Sequence, residues 1–245
     1  MRTFLLSMLL SSSLAAVAAP PGYHAPRRLL TASGQPYHRQ PLRLTFGVNL
    51  AYYNGDLTSR FNDNTFRLGI NAGLTKTISP HLTFATDLSY FHLKAVDRFP
   101  ERGYSFSSDN GMLTGRLQYN LFADKSLYIG PNHREMPVLV FVEAGVGALV
   151  FNPSTAQYNL PVAAEGRNMY PALAGVLPFG GGVTLRASKR LAFTIEGLYY
   201  LTSTDMLDGI SQRGNPDLLD DFATLAFKAE ISLGKGQKKP LVHND

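Results

Sequence analysis

The sequence lacks cysteine and tryptophan and has few charged residues. With no cysteine among 245 residues, the chain forms neither a disulfide nor a thiolate metal site. Charged side chains make up 17% of the sequence, fewer than the roughly 25% of ordinary soluble domains. The 23 basic residues are scattered and form no stripe with interleaved aromatics. This pattern excludes nucleic acid as a partner.

Long hydrophobic runs are also missing. Beyond the N-terminal residues, no segment approaches the roughly 18 uninterrupted apolar residues of a membrane helix. If the chain crosses a membrane, it must do so as a closed β-barrel, because lipid offers no partner for unpaired backbone groups.

The N-terminal residues indicate export. Residues 1–18 combine a basic Met1-Arg2 start, an apolar segment and a small-x-small cleavage site ending at Ala18, which predicts a secretory signal peptide. Residues 19–41 are proline-rich and basic and show no periodicity, so they predict a flexible periplasmic linker.

From Leu42 onward, apolar and polar residues alternate. The segment 42–53 keeps a period of two over twelve residues, longer than the ~5–6 of an ordinary strand. The same period recurs in seven later segments, which predicts eight strands. We therefore expect an all-β fold, an eight-stranded antiparallel barrel over 42–233, followed by a short periplasmic tail at 234–245.

The lengths of the connectors alternate too. Three-residue turns are predicted at 79–81 and 188–190, whereas the polar links after strands one, three, five and seven are long. Short turns at one end and long loops at the other are typical of outer-membrane barrels. The connector 123–137 departs from the rule, since it is long yet falls on the periplasmic side. Its candidate residues for contact with a protein partner are Tyr128, His133 and Arg134.

The composition of the two faces decides which one faces outward. The polar face carries many glycines and a nearly balanced set of charges, whereas the apolar face carries only Lys76, at a strand end. This favours a membrane barrel with its apolar face in contact with outer-membrane lipids. The predicted interior charge network consists of Arg43, Arg67, Asp87, Arg116, Glu143, Arg186, Glu196, Lys228 and Glu230. The predicted aromatic girdle consists of Tyr52, Tyr90, Tyr119 and Tyr199.

An eight-stranded barrel is filled by its own side chains. The interior charges therefore predict a packed salt-bridge network rather than an open pore, with a proton or ion path as the alternative. We expect no cofactor, no metal and no catalytic site. The strongest enzymatic alternative is a lipid-modifying site at His92, with Asp97 or Ser89 as partners. The loop carboxylates considered for calcium, which lack a recognisable ligand spacing, are Asp97, Asp109, Asp205 and Asp208.

Eight short motifs occur in an order and spacing that resemble one family, the small outer-membrane barrels typified by PorG of the type IX protein secretion system. They are YYNGDL (52–57), SPHL (79–82), FSSDN (106–110), FNP (151–153), AEG (164–166), PFGGGV (178–183), SKRLAFTIEGLYY (188–200) and TDMLDGIS (204–211). The resemblance implies an eight-stranded outer-membrane barrel and a role in secretion through contact with periplasmic ring lipoproteins. The sequence departs from the family pattern at Asn54 and at 206–209.

The sequence therefore favours a non-enzymatic docking or structural subunit of the outer membrane. An autonomous surface barrel, acting as an adhesin or an envelope stabiliser, is the second hypothesis. A lipid-modifying enzyme is the third.

Overall fold

The structure is a computed structural model that describes residues 29–54, 65–97, 99–158, 160–161, 171–204, 207 and 220–234. The predicted signal peptide and residues 235–245 of the predicted tail lie outside the described residues. Within these ranges, no helix is long and apolar enough to cross a membrane.

The described chain consists of strands joined by turns and two short 3₁₀ helices, at Pro100–Arg102 and Lys125–Leu127. The strands are β1 (Leu29–Leu30), β2 (Pro36–Tyr37), β3 (Arg43–Asn54), β4 (Leu68–Thr77), β5 (Leu82–Val96), β6 (Tyr104–Asn120), β7 (Val138–Gln157), β8 (Leu160–Pro161), β9 (Ala172–Arg186), β10 (Leu191–Thr202) and β11 (Asp221–Ser232).

Eight of these strands close into a barrel. Each pairs antiparallel with the next long strand along the chain, from β3 through β7 to β9, β10 and β11. The ring closes where β11 pairs with β3, from Asp221↔Asn54 to Ser232↔Arg43. The predicted all-β, eight-stranded antiparallel barrel is confirmed. The four-residue pair β1–β2 forms a separate small sheet, and β8 pairs with the end of β7.

The apolar face of the strands points outward, as predicted. The exposed apolar side chains on the barrel wall are Phe46, Val48, Leu68, Ile70, Leu74, Phe84, Leu88, Leu113, Leu117, Val138, Val142, Val146, Val150, Leu173, Leu177, Phe179, Leu185, Phe193, Ile195, Leu201, Leu225, Phe227 and Ile231. Such a continuous apolar exterior around a polar interior is the surface of a membrane-spanning barrel. Lys76, near the end of β4, donates a hydrogen bond to the Gln40 carbonyl at 3.1 Å, which keeps its charge at the edge of the apolar band.

Both predicted short turns are present, and each is closed by a serine. Ser79 Oγ accepts from the Leu82 N–H at 3.1 Å, and Ser188 Oγ accepts from the Leu191 N–H at 3.0 Å. Serine favours such turns because its hydroxyl replaces a backbone acceptor. These two turns, together with both ends of the described chain, define one end of the barrel, which we call the turn end. The opposite end is the loop end.

Among the described residues, the strands of the barrel differ in length. Strands β5, β6 and β7 have 15, 17 and 20 residues, whereas β4 has 10. We call these three strands the tall wall. The prediction of a long loop after the third barrel strand, running to about Glu101, is wrong, because β5 continues to Val96 and only residues 97–103 separate it from β6. A strand that rises above a membrane needs no apolar outer face, so alternation does not reveal where it ends.

The predicted flexible linker is also wrong for residues 29–41. Strands β1 and β2 form a hairpin whose turn places Gly34 at φ 75°, a conformation that glycine adopts without strain. Thr31 closes this turn, since its side-chain oxygen accepts from the Gln35 N–H at 3.0 Å. Residues 29–37 are thus a structured part of the turn end.

Candidate functional site

Five charged side chains fill the middle of the barrel, and we call them the central charge network. The Arg116 guanidinium donates to Asp87 and lies 3.0 Å from Glu143 Oε2. A third carboxylate, Glu196 Oε1, lies 3.4 Å from the same guanidinium. Lys228 Nζ lies 2.7 Å from Asp87 and 2.6 Å from Glu196. All five are buried, so each depends on the others for compensation of its charge.

The other predicted interior charges do not join this network. At the turn end, Arg43 Nη1 lies 3.4 Å from Glu230 Oε2. Arg186 Nη2 lies 2.5 Å from Oδ2 of Asp124, a residue of the connector. Asp124 was not predicted, because it lies outside the strands and the parity of a strand gives no information about it. The assignment of Arg67 to the interior is wrong, since this residue precedes β4 and is exposed.

A second layer of the interior is apolar and lies toward the loop end; we call it the loop-end cluster. Tyr53 and Phe106 rings meet edge to face at 4.6 Å, and Tyr200 stacks on Phe222 at 4.5 Å. The ring centroids of Phe91 and Phe222 are 5.2 Å apart. The remaining members are Ala51, Leu93, Ala95, Met112, Leu149, Phe151, Ala174, Val176, Leu198 and Leu207. Sequence reasoning missed this layer, although the apolar parity of β5 switches near its end, where Phe91, Leu93 and Ala95 occupy the inward positions.

The space between these two layers is small. A cavity of about 10 Å³ lies among Asn49, Asn71, Arg116, Lys228 and their neighbours, which is room for about one water molecule. The described side chains therefore fill the cross-section of the barrel at this level.

The four predicted girdle tyrosines lie on the outer wall, with Tyr52, Tyr119 and Tyr199 near strand ends and Tyr90 in the middle of β5. Tyr52, Tyr90 and Tyr199 lie toward the loop end, where the Tyr199 hydroxyl donates to Asp221 of the neighbouring strand β11 and accepts from Asn54 of β3, the strand beyond it. Tyr119 lies at the turn end, where its ring stacks on His81 at 5.4 Å. Their assignment to a membrane boundary, where tyrosine is enriched, stays a prediction.

The connector 123–137 and the N-terminal hairpin pack together at the turn end, and we call residues 29–38 and 123–130 the turn-end cap. Tyr37 and Tyr128 form a β-bridge. On either side of it, the His38 N–H donates to the Leu127 carbonyl at 3.0 Å, and the Ile129 N–H donates to the Pro36 carbonyl at 2.9 Å. Of the predicted contact residues, Tyr128 is thus half-buried in the cap, whereas His133 and Arg134 are exposed.

The cap is fastened to the barrel through Asp124. Its carboxylate accepts two hydrogen bonds from Arg186, at 2.9 and 2.5 Å, and one from the Ser126 hydroxyl at 2.6 Å. Burial alone raises the pKa of Asp124, but these donors outweigh burial and hold the pKa below its ordinary value,.

We expect acid to loosen the cap. Because the pKa of Asp124 is lower in the folded state, its contribution to stability is present above about pH 4, the unfolded value, and is lost as the pH falls through the folded value. Hydrogen exchange of the connector amides, normalised to intrinsic rates, should show protection that is flat above this range and falls below it. Asp124→Asn should remove both the protection and its pH dependence, whereas Glu135→Gln, in the same connector, should leave both unchanged.

His92 lies on the outer wall, and the two partners considered for it are wrong. Strand parity places Ser89 inside the barrel, where it is buried, and the buried Asp97 receives a hydrogen bond from Arg102 at 2.6 Å. The register of β5 and β6 instead pairs His92 with Asp109. Its Nδ1 lies 2.9 Å from Asp109 Oδ1, and its Nε2 lies 2.9 Å from Ser107 Oγ.

Among the described residues, no group of three or more histidine or acidic side chains could hold a metal ion. Two of the carboxylates considered for calcium have other partners, namely Asp97 with Arg102 and Asp109 with His92. The other two, Asp205 and Asp208, lie outside the described residues.

No family model matches the chain, and no curated protein matches its sequence. Solved structures with a similar backbone fold include Neisserial surface protein A, which is 11% identical in sequence and has a TM-score of 0.49. The match covers 80% of this chain and 99% of that chain. Ail of Yersinia pestis, solved with the heparin analogue sucrose octasulfate, has 8% identity, 78% and 98% coverage and a TM-score of 0.45.

A third similar structure is the N-terminal β-barrel domain of Pseudomonas aeruginosa OprF, with 7% identity, 79% and 100% coverage and a TM-score of 0.43. At such identities and TM-scores these likenesses carry no argument about activity. The strand register and the apolar exterior carry the conclusion that the chain is a small barrel of the outer-membrane type.

Proposed function

We propose that the chain is a docking or structural subunit of the outer membrane, associated with type IX protein secretion, and that the turn-end cap is its contact surface. Short turns of outer-membrane barrels face the periplasm and long loops face outward. In this orientation the cap would face the periplasm, where ring lipoproteins of a secretion system would meet it.

The observation that carries this proposal is the construction of the cap. An ordinary periplasmic turn is short, yet here two distant segments join into one structure with a fully buried base at Leu127. Above that base, Leu30 is 59% exposed and Ile129 is 50% exposed. His133 and Arg134 lie exposed nearby. Exposed apolar residues with a basic rim are suited to a protein interface.

The filled interior supports the same function. With the central charge network and the loop-end cluster occupying the barrel, this chain acts through its ends or its wall rather than as a pore. The partner expected at the cap is a periplasmic ring lipoprotein with an apolar patch and acidic residues, since these complement the exposed groups of the cap.

Site-specific photocrosslinking in cells tests the proposal. A photoreactive residue at Ile129 should give an adduct with a periplasmic lipoprotein of the secretion ring, and Arg134→Glu should reduce its yield. The same photoreactive residue at Asn152, exposed at the loop end, serves as the matched control and should give no such adduct. Deletion of the gene should also impair type IX secretion. No lipoprotein adduct together with normal secretion in the deletion strain would overturn the proposal and favour the autonomous surface barrel.

A further inference from the structure

The tall wall carries a polar cluster on its lipid-facing side, close to the loop end. Ser107, His92 and Asp109 form a continuous chain of hydrogen bonds, with Oγ–Nε2 and Nδ1–Oδ1 distances both of 2.9 Å. From this geometry we propose that Ser107, His92 and Asp109 are a hydrolytic site for ester-linked acyl chains of membrane lipids. The proposal does not depend on the docking function.

The hydrogen-bond partners select one tautomer of the neutral imidazole. An ionised carboxylate only accepts hydrogen bonds, so His92 Nδ1 must carry the proton that it shares with Asp109. In the neutral ring Nε2 is then an acceptor, and it receives the hydrogen bond of the Ser107 hydroxyl. A hydroxyl held by a basic nitrogen, with a carboxylate orienting the ring from behind, is the arrangement of an activated serine nucleophile.

The depth of the cluster matches the position of lipid esters. A membrane-spanning strand needs roughly 9–11 residues, and β6 reaches Asp109 after about that length from Tyr119 at the turn end. Below the cluster the wall is apolar, with Leu113 and Val150 exposed, whereas Asn152 and Ser154, which pair with Asp109 and Ser107 at the level of the cluster, are polar and exposed. The cluster therefore lies at the boundary between acyl chains and headgroups, where the ester carbonyls of membrane lipids are found.

A cationic group is also in place. The register pairs Lys94 directly with Ser107, and side chains of such pairs start about 5 Å apart on the same face. Backbone N–H groups within a strand ladder are already paired, so they cannot form an oxyanion hole here. The ammonium of Lys94 is the group suited to stabilise negative charge on an ester carbonyl oxygen and to bind a lipid phosphate.

The reaction would proceed in two steps. Ser107 Oγ attacks the ester carbonyl carbon, and its proton passes to His92 Nε2. The bond from that carbon to the alcohol oxygen breaks, and the alcohol leaves with the proton from His92. Water then attacks the acyl-serine in the same way, which releases the fatty acid and restores the hydroxyl. Water is the only co-reactant.

The test uses the folded, full-length chain in vesicles. Fatty acid release is measured by mass spectrometry from vesicles of diacyl glycerophospholipid and, separately, from vesicles of lipid A, which distinguishes the two sources of acyl ester. We expect release in at least one of them. Ser107→Ala and His92→Ala should each lower the rate by about 10³-fold or more. Ser105→Ala, on the same face of the same strand, is the matched control and should retain the activity.

Asp109 is a positioning residue, and its variant has a distinct signature. Asp109→Asn should lower kcat for fatty acid release and leave KM for the lipid unchanged, because the imidazole loses the carboxylate that orients it. A fluorophosphonate should label the wild-type chain at Ser107, which is read by peptide mass spectrometry. Heat-dependent gel mobility confirms that each variant is folded. The proposal is overturned if neither lipid is hydrolysed and Ser107 is not labelled, or if folded Ser107→Ala is as active as the wild type.

Discussion

Replacement of Arg116 by methionine is expected to destabilise the barrel by about 3–5 kcal/mol, the usual cost of removing one partner from a buried ion pair. Arg116 is the cation shared by Asp87, Glu143 and Glu196. Without it, three buried carboxylates would face the single ammonium of Lys228, which contacts only two of them. The measurement is urea unfolding of the chain in lipid vesicles, followed by the mobility of folded and unfolded bands on gels.

Two further variants sharpen this result. Lys189→Met removes a charge from an exposed turn and should change the free energy of unfolding by less than about 0.5 kcal/mol. The double variant Arg116→Met/Glu143→Gln should recover part of the loss, because it removes one of the uncompensated carboxylates. If Arg116→Met unfolds within about 0.5 kcal/mol of the wild type, the interior carboxylates are solvated and the packed network is refuted.

Replacement of Gly180 by alanine is expected to cost about 3 kcal/mol or more, the upper end of overpacking effects. A methyl group on this inward-facing residue of β9 would collide with the Gly197 carbonyl oxygen and lie 3.0 Å from the Leu198 Cα. Both are backbone atoms of the paired strand β10, and a strand within a closed ladder cannot move aside without disturbing its other neighbour. The loss should appear as a lower folded yield and a lower midpoint in urea.

Gly197 supplies the matched control on the neighbouring strand. A methyl group there would meet no atom within 4 Å, because this side of β10 faces outward. Gly197→Ala should therefore be neutral or stabilise by up to about 1 kcal/mol, as expected when a strand loses the backbone freedom of glycine. Equal effects at the two glycines would show that close packing of the wall does not explain the glycine content of the inner face.

Period-two alternation was sufficient to predict the barrel, since each of the eight long strands has an inner and an outer face. It also placed Arg116, Lys228 and their carboxylates inside, because a misplaced basic residue near the midplane costs about 2–4 kcal/mol. Arg67 was misassigned because parity has meaning only within a strand, and β4 begins one residue later, at Leu68.

Other features depend on register, which the sequence does not reveal. The cluster of Ser107, His92 and Asp109 exists only because β5 and β6 are aligned across the short link at 97–103, and that link was taken for a long loop. Likewise, the turn-end cap depends on an isolated bridge between Tyr37 and Tyr128, which are far apart in the sequence and show no periodicity. Alternation identifies strands, but not which residues of two strands face each other.

The unequal height of the barrel gives the molecule a direction within the plane of the membrane. In the described part of the chain, sheet continues beyond the apolar band along the β5–β7 side, whereas β4 ends at Leu68. Rotation of the barrel about the membrane normal therefore changes what a neighbouring lipid or protein meets. Because two sides of the barrel differ in the extent of their sheet, the barrel can orient its lateral neighbours as well as bind them.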